Sequence, residues 1–132
     1  MINNQQPISE FKSKSGMKRV IAAFSYSIQG LRAAWQGEHA FRQELGLVVV
    51  ATIVAFSLSI TALEKLMLIG VFVLVLIVEL LNSAIEAVVD RVSLECNPLS
   101  KNAKDFGSAA VLLSLALASA TWAVVVLPLI VR

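Results

Sequence analysis

Val78-Glu79-Leu80-Leu81-Asn82-Ser83-Ala84-Ile85-Glu86-Ala87-Val88-Val89-Asp90 decides how the rest of the chain folds. It opens at the end of a strongly apolar run, where a charge needs a reason. Wound as a helix, Glu79, Asn82, Ser83, Glu86 and Asp90 fall at i, i+3, i+4, i+7 and i+11 and make one polar stripe. Leu80, Leu81, Ala84, Ile85, Ala87 and Val88 fill the remaining faces and can meet lipid or neighbouring helices. Glu79 and Glu86 stand two turns apart, roughly 10 Å along the axis. A carboxyl at bilayer depth costs on the order of a few kcal/mol, so it faces protein or a water-filled cavity and marks a functional site.

The stripe belongs to a membrane chain. Of the 132 residues 58% are hydrophobic and the mean hydropathy is +0.80, too apolar for a soluble domain of this size, whose surface must be largely polar. Three apolar runs hold the excess: Leu45–Leu63, Leu66–Val78 continuing to Val89, and Phe106–Val131. The first and third reach the roughly 18–20 residues of a transmembrane helix, and the second does so once Glu79 and Glu86 are admitted. The expectation is an all-α membrane protein with transmembrane helices at about 40–62, 64–92 and 104–131. The first apolar run begins behind a long basic segment, which is not the layout of a cleavable signal. Cys96 stands alone and reads as a free thiol in a reducing compartment.

Lys and Arg counts orient the spans. Six precede the first span, three lie between the second and third, and the other two are Lys65 and Arg132, giving nine inside against two outside with the N-terminus in. The Asp90–Asp105 loop and Glu86 then face the cytoplasm, with Glu79 about two turns deeper. Met1–Gly16 reads as a mobile tail. From Met17 to about residue 36, Val20, Ile21, Phe24, Ile28, Leu31 and Trp35 recur at helical spacing beside basic residues, the pattern of an amphipathic helix lying on the membrane surface. Gly37 permits a bend into the first span. Ser59–Lys65 leaves room only for a hairpin turn, and Asn97-Pro98 ends the second span. Ala110, Ser114 and Ala118 put a small residue at every fourth position of the third span, a face for close helix approach.

Some patterns carry no chemistry. Asp105-Phe106-Gly107 spells the magnesium triplet of protein kinases, but the chain lacks the catalytic-loop motif and the room for that fold. There is no P-loop pattern and no Gly-x-Gly-x-x-Gly. His39 has no second His or Cys nearby and reads as an interfacial structural residue. No internal repeat supports an inverted-repeat transporter. What remains is a set of acids and bases at one depth, Glu38, Glu44, Glu86, Asp90, Lys104 and Asp105, with Glu79 below. Carboxylates hold Mg²⁺ that arrives with phosphate oxygens, a neighbouring cation can hold phosphate charge, and a partly desolvated Glu suits a general base. The plainer alternative is that Glu79, Asn82 and Glu86 hydrogen-bond the helices together in a non-catalytic bundle or a small transporter.

Glu79-Leu80-Leu81-Asn82-Ser83-Ala84-Ile85-Glu86-x-x-Val89-Asp90, followed by Ala103-Lys104-Asp105-x-Gly107-Ser108-Ala109-Ala110-Val111, resembles the signature of the small bacterial integral-membrane diacylglycerol kinases. Gly30-Leu31-Arg32-Ala33-Ala34-Trp35 and Ala40-Phe41-Arg42-Gln43-Glu44 extend the likeness, closer to the Gram-negative diacylglycerol branch than to the undecaprenol kinases. The resemblance runs from about Lys18 to the C-terminus. It implies a surface helix plus three transmembrane helices, a homotrimer with sites at protomer boundaries in the bacterial inner membrane, and phosphorylation of diacylglycerol by MgATP to phosphatidic acid. It further implies Glu79 as general base supported by Asn82, and Glu38 and Glu86 as magnesium ligands that also border ATP. Arg19, Tyr26, Glu95, Cys96, Asn97, Lys104 and Asp105 complete the implied ATP set. Ala23, Ser27, Ile28, Arg32, Trp35, Ala40, Phe41, Arg42, Gln43, Glu44 and Ser108 are implied, with Glu79, to border the lipid. Ile28 and the Glu95-Cys96-Asn97-Pro98 loop depart from the family pattern. Nucleic acid is not an expected partner, and an undecaprenol kinase is the alternative within the class.

Overall fold

The structure, a computed structural model, describes residues 16–92 and 95–131. Four helices follow in order: α1 (Gly16–Gly37), α2 (His39–Ser57), α3 (Ala62–Val92) and α4 (Pro98–Ile130). The fold is all-α, with no strand among the described residues. Apart from Gly16, which opens α1, the expected tail lies outside the described residues, as does Arg132. The chain divides between Gly37 and Glu38 into two compact units. α1 is amphipathic, and its apolar row Val20, Ile21, Phe24, Ile28, Leu31 and Trp35 is exposed. α2, α3 and α4 are each long and apolar enough to cross a membrane.

Two boundaries differ from the sequence expectation, and both trace to helix caps. The first span stops at Ser57 rather than near residue 62, and α3 begins at Ala62. Thr61 is the reason. Its N–H and Oγ1 both donate to Glu64 Oε2, at 2.8 and 2.7 Å, and Glu64 N–H donates back to Thr61 Oγ1 at 3.3 Å. This reciprocal capping box satisfies donors that the first turn of a helix otherwise leaves open. The third span likewise starts at Pro98 rather than near residue 104. Asn97 caps it by accepting from Leu99 N–H at 2.8 Å, and Pro98 sits in the first turn where its missing N–H costs nothing. Asn97-Pro98 therefore starts a helix, and the preceding one ends five residues earlier at Val92.

The three long helices pack as an antiparallel hairpin series. Trp122 Nε1 donates to the Leu68 carbonyl at 3.0 Å and its ring meets Phe72 edge-on, with centroids 5.8 Å apart. At the opposite end Lys104 pairs with Asp90. The end of α4 thus lies by the start of α3, and the start of α4 by the end of α3. α3 turns Leu68, Val75 and Glu79 inward, and half-buried Asn82 and Glu86 continue the same face. α2 contributes Phe41, Glu44, Ala51 and Ala55, and α4 contributes Gly107, Ser114 and Ala118. Small residues at these points let backbones approach closely. Ala110 is exposed, contrary to the expected small-residue row; the buried row is Gly107, Ser114 and Ala118, with half-buried Val111 between. Strict i, i+4 steps drift around a helix of 3.6 residues per turn, so a face held over several turns alternates steps of three and four.

The capping box gives a direct test. Thr61→Ala should lower stability to unfolding in detergent micelles by about 1 kcal/mol, whereas Thr61→Ser, which keeps the hydroxyl, should stay close to the parent.

Candidate active site

At the end of the bundle where α2 begins and α3 approaches its close, the packing face turns acidic. Glu79 is 6% exposed and Glu44 is 8% exposed. Glu79 lies within electrostatic reach of Glu86 and Glu38, and Glu44 within reach of Glu79. Four carboxylates from α2, its N-cap position and α3 therefore converge. Asn82 Nδ2 donates to Glu86 Oε1 at 3.2 Å, one turn along the same helix. Glu44 Oε2 and Asn82 Oδ1 are buried without a hydrogen-bond partner among the described residues. Such unsatisfied polar atoms cluster where a site is not optimised for stability. Of the apolar positions between the polar ones, Leu81, Ala84, Ile85, Ala87 and Val88 are exposed and Leu80 is half-buried.

Beyond this cluster, Val89, Asp90, Glu95, Cys96, Asn97, Ser100, Lys101 and Lys104 line a pocket of about 400 Å³. Glu95, Cys96 and Asn97 are exposed there. Lys104 Nζ lies 2.6 Å from Asp90 Oδ1, which holds the ammonium at the pocket wall nearest α3. Asp105 is exposed and pairs along α4 with Lys101. Lys101 and Ser100 are pocket residues outside the motifs; the Lys101–Asp105 i, i+4 spacing is the sequence signal for the first of them.

The residues expected to border lipid divide. Phe41 and Glu44 are buried in the bundle, Ala40 and Arg42 are half-buried, and Gln43 and Ser108 are exposed. Arg42 Nη2 donates to His39 Nδ1 at 2.8 Å, which gives the lone histidine a structural partner. On α1, helical geometry puts Arg19, Ala23, Tyr26 and Ser27 on one side and Ile28, Arg32 and Trp35 on the other. Ser27 Oγ donates to the Ala23 carbonyl at 2.9 Å.

Among the described residues no group of three or more His, Cys, Asp or Glu side chains is arranged to hold a metal ion by itself. The carboxylates on hand beside Glu79 include those of Glu38 and Glu86, each within its electrostatic reach. That set does not make a closed protein cage. It fits Mg²⁺, which is commonly held by one or two carboxylates together with substrate phosphates.

These features define a class: a helical membrane protein with an acidic site built into one end of its bundle. The family model for prokaryotic diacylglycerol kinases matches residues 25–126. The chain is 55% identical over 119 residues to a diacylglycerol kinase of Pseudomonas aeruginosa, covering 90% of this chain and 97% of that one. It is 51% identical over 110 residues to a diacylglycerol kinase of Escherichia coli K12, covering 83% and 90%. A diacylglycerol kinase of Haemophilus influenzae is 41% identical over 108 residues, covering 82% and 92%. The chain belongs to the prokaryotic diacylglycerol kinase family.

Glu44 offers a check on the geometry that is independent of turnover. Its buried oxygen lacks a partner and a second carboxylate is near, so Glu44→Gln should leave stability in micelles unchanged or raise it, by up to about 1 kcal/mol. A clear loss on thermal or denaturant unfolding would mean that Glu44 has a stabilising partner.

Proposed function

We propose that the protein transfers the γ-phosphoryl group of ATP to the free hydroxyl of diacylglycerol, giving phosphatidic acid, at the cytoplasmic face of a bacterial inner membrane. The observation that carries this is Glu79, a carboxylate turned into the bundle with Glu38, Glu44 and Glu86 in electrostatic reach, in a chain of this family. Diacylglycerol keeps its hydroxyl at the interface and its tails in the bilayer, so it meets a water-soluble nucleotide only at the membrane surface. Glu79 takes the hydroxyl proton as the lipid oxygen bonds to the γ-phosphorus and the bond to the bridging oxygen of ADP breaks. Asn82, through its bond to Glu86, keeps the polar stripe in register beside that base.

Glu38 and Glu86 would hold Mg²⁺, which when bound neutralises phosphate charge. Lys104 offers a cation for the same charge from the pocket wall, and Glu95, Cys96, Asn97 and Asp105 border the nucleotide. Arg19 and Tyr26 are assigned to ATP by the family motif. Ala23, Ser27, Ile28, Arg32, Trp35, Ala40, Phe41, Arg42, Gln43, Glu44 and Ser108 are assigned, with Glu79, to the lipid side, and the assembly to a homotrimer, on the same basis. Phosphoryl transfer depends mainly on positioning and charge neutralisation, so a few side chains on rigid helices suffice for it.

Glu79→Gln should abolish turnover while MgATP still binds; a near-normal kcat would remove the base role. Glu86→Gln and Glu38→Gln should each raise the Mg²⁺ requirement about tenfold or more, read from a metal titration of the rate. Phosphate incorporation into short-chain diacylglycerol and into undecaprenol, compared in mixed micelles, tests the acceptor: a preference for undecaprenol overturns the diacylglycerol assignment.

A further inference from the structure

We propose that Gly107 is a positioning residue for Glu86, acting through Asn82; this rests on Glu86 holding the magnesium of MgATP. Gly107 is buried in α4 where it faces α3. A Cβ added at Gly16, Gly30, Gly37, Gly46 or Gly70 meets nothing within 4 Å. At Gly107 it would overlap Asn82 Oδ1 and come within 3.2 Å of Asn82 Cγ, while Asn82 Cα stays 3.8 Å away. The obstacle is thus a side-chain amide, not the facing backbone. The two helices need not separate to admit a methyl group, but the amide must move.

Both ends of that amide are spoken for. Nδ2 donates to Glu86 Oε1. Oδ1 is sealed from solvent with no conventional donor among the described residues. Glycine carries a hydrogen where other residues carry Cβ, so it directs a Cα–H toward this oxygen, a weak donor that recurs where helices pack closely. The arrangement also fixes which end of the amide is oxygen, because only the nitrogen can donate to a carboxylate. Asn has a short side chain, so displacing Oδ1 swings Nδ2 off Glu86. A carboxylate held through one oxygen presents the other in a fixed direction, and groups that orient a metal ligand in this way tune its affinity.

The test uses the purified full chain in micelles as Gly107→Ala, Asn82→Ala, the double variant, and Gly70→Ala as a control at an open glycine. Binding of a non-hydrolysable ATP analogue is titrated against Mg²⁺, and kcat and KM for short-chain diacylglycerol are measured alongside. The nitrogen-15 signal of the Asn82 side-chain amide is recorded without nucleotide. Gly107→Ala is expected to raise the half-saturating Mg²⁺ about tenfold in both binding and turnover, with KM for the lipid unchanged. It is also expected to shift the Asn82 amide signal, and Gly70→Ala to do neither. The double variant should match Asn82→Ala, because the obstructed group is gone.

An unchanged metal titration in Gly107→Ala, or losses that multiply in the double variant, would overturn the proposal. If Gly107→Ala does not fold, the double variant should fold, and its failure to do so is equally fatal. If the parent binds no magnesium nucleotide, the kinase assignment fails by itself. The amide signal then still decides whether Gly107 sets Asn82: a shift in Gly107→Ala supports that placement, and an unmoved signal rejects it.

Discussion

An ionisable group can be carried at depth along an apolar membrane helix only on a side that the helix turns toward other protein or water. α3 meets this constraint with one face used twice. Over Leu68 and Val75 the face is ordinary packing surface, and over Glu79, Asn82 and Glu86 the same face is acidic. The neighbours are matched to it. α4 offers a glycine where Asn82 needs room, and α2 adds a further buried carboxyl, Glu44, beside Glu79. A bundle chosen for stability alone would fill these positions with hydrocarbon, since buried like charges oppose folding. Packing at the other end, around Trp122, Leu68 and Phe72, holds α3 and α4 together where no such conflict exists.

Much of the fold was legible because membrane helices announce themselves by length and composition, and the polar stripe of α3 was visible as a break in that pattern. Its inward orientation followed from the cost of leaving a charge in lipid. What escaped was local chemistry inside uniformly apolar or short linking segments. Hydropathy runs straight through Ser57–Ala62, so the end of α2 was invisible to it; Thr61 and Glu64, three residues apart, carried the information. Asn97-Pro98 marks a boundary in the sequence without giving its sense, because proline stops one helix as readily as it opens another, and only the cap contact to Leu99 distinguishes the two.

The site shows the same division. Residue type and depth group Glu38, Glu44 and Glu86 in the sequence together with Asp90, Lys104 and Asp105 and put Glu79 below them; that Glu44 and Glu79 are the two buried carboxyls emerges only from the packing. So does the pairing of Lys104 with Asp90 and of Asp105 with Lys101, since each acid has more than one base within a plausible reach. Gly107 stands in the quoted motif without a role of its own: its meaning lies in the atom it lacks, which becomes visible only once Asn82 stands opposite. Ala110 falls outside the buried row for a geometric reason: two steps of four residues overrun two full turns and rotate away from the packed face.

The unequal lengths of the long helices carry a consequence for how oil and water are kept apart. α2 has 19 residues, roughly 28 Å at about 1.5 Å per residue, close to the hydrocarbon thickness of about 30 Å. α3 and α4 have 31 and 33 residues, about 46 and 50 Å, and are joined at the acidic end. Each exceeds that thickness by about three turns or more, and the turns nearest their shared end carry Asp90, Lys101, Lys104 and Asp105. Two apolar rods longer than the oil they can cross have room to keep such charges out of it, and how much room is fixed by the count of residues in each rod.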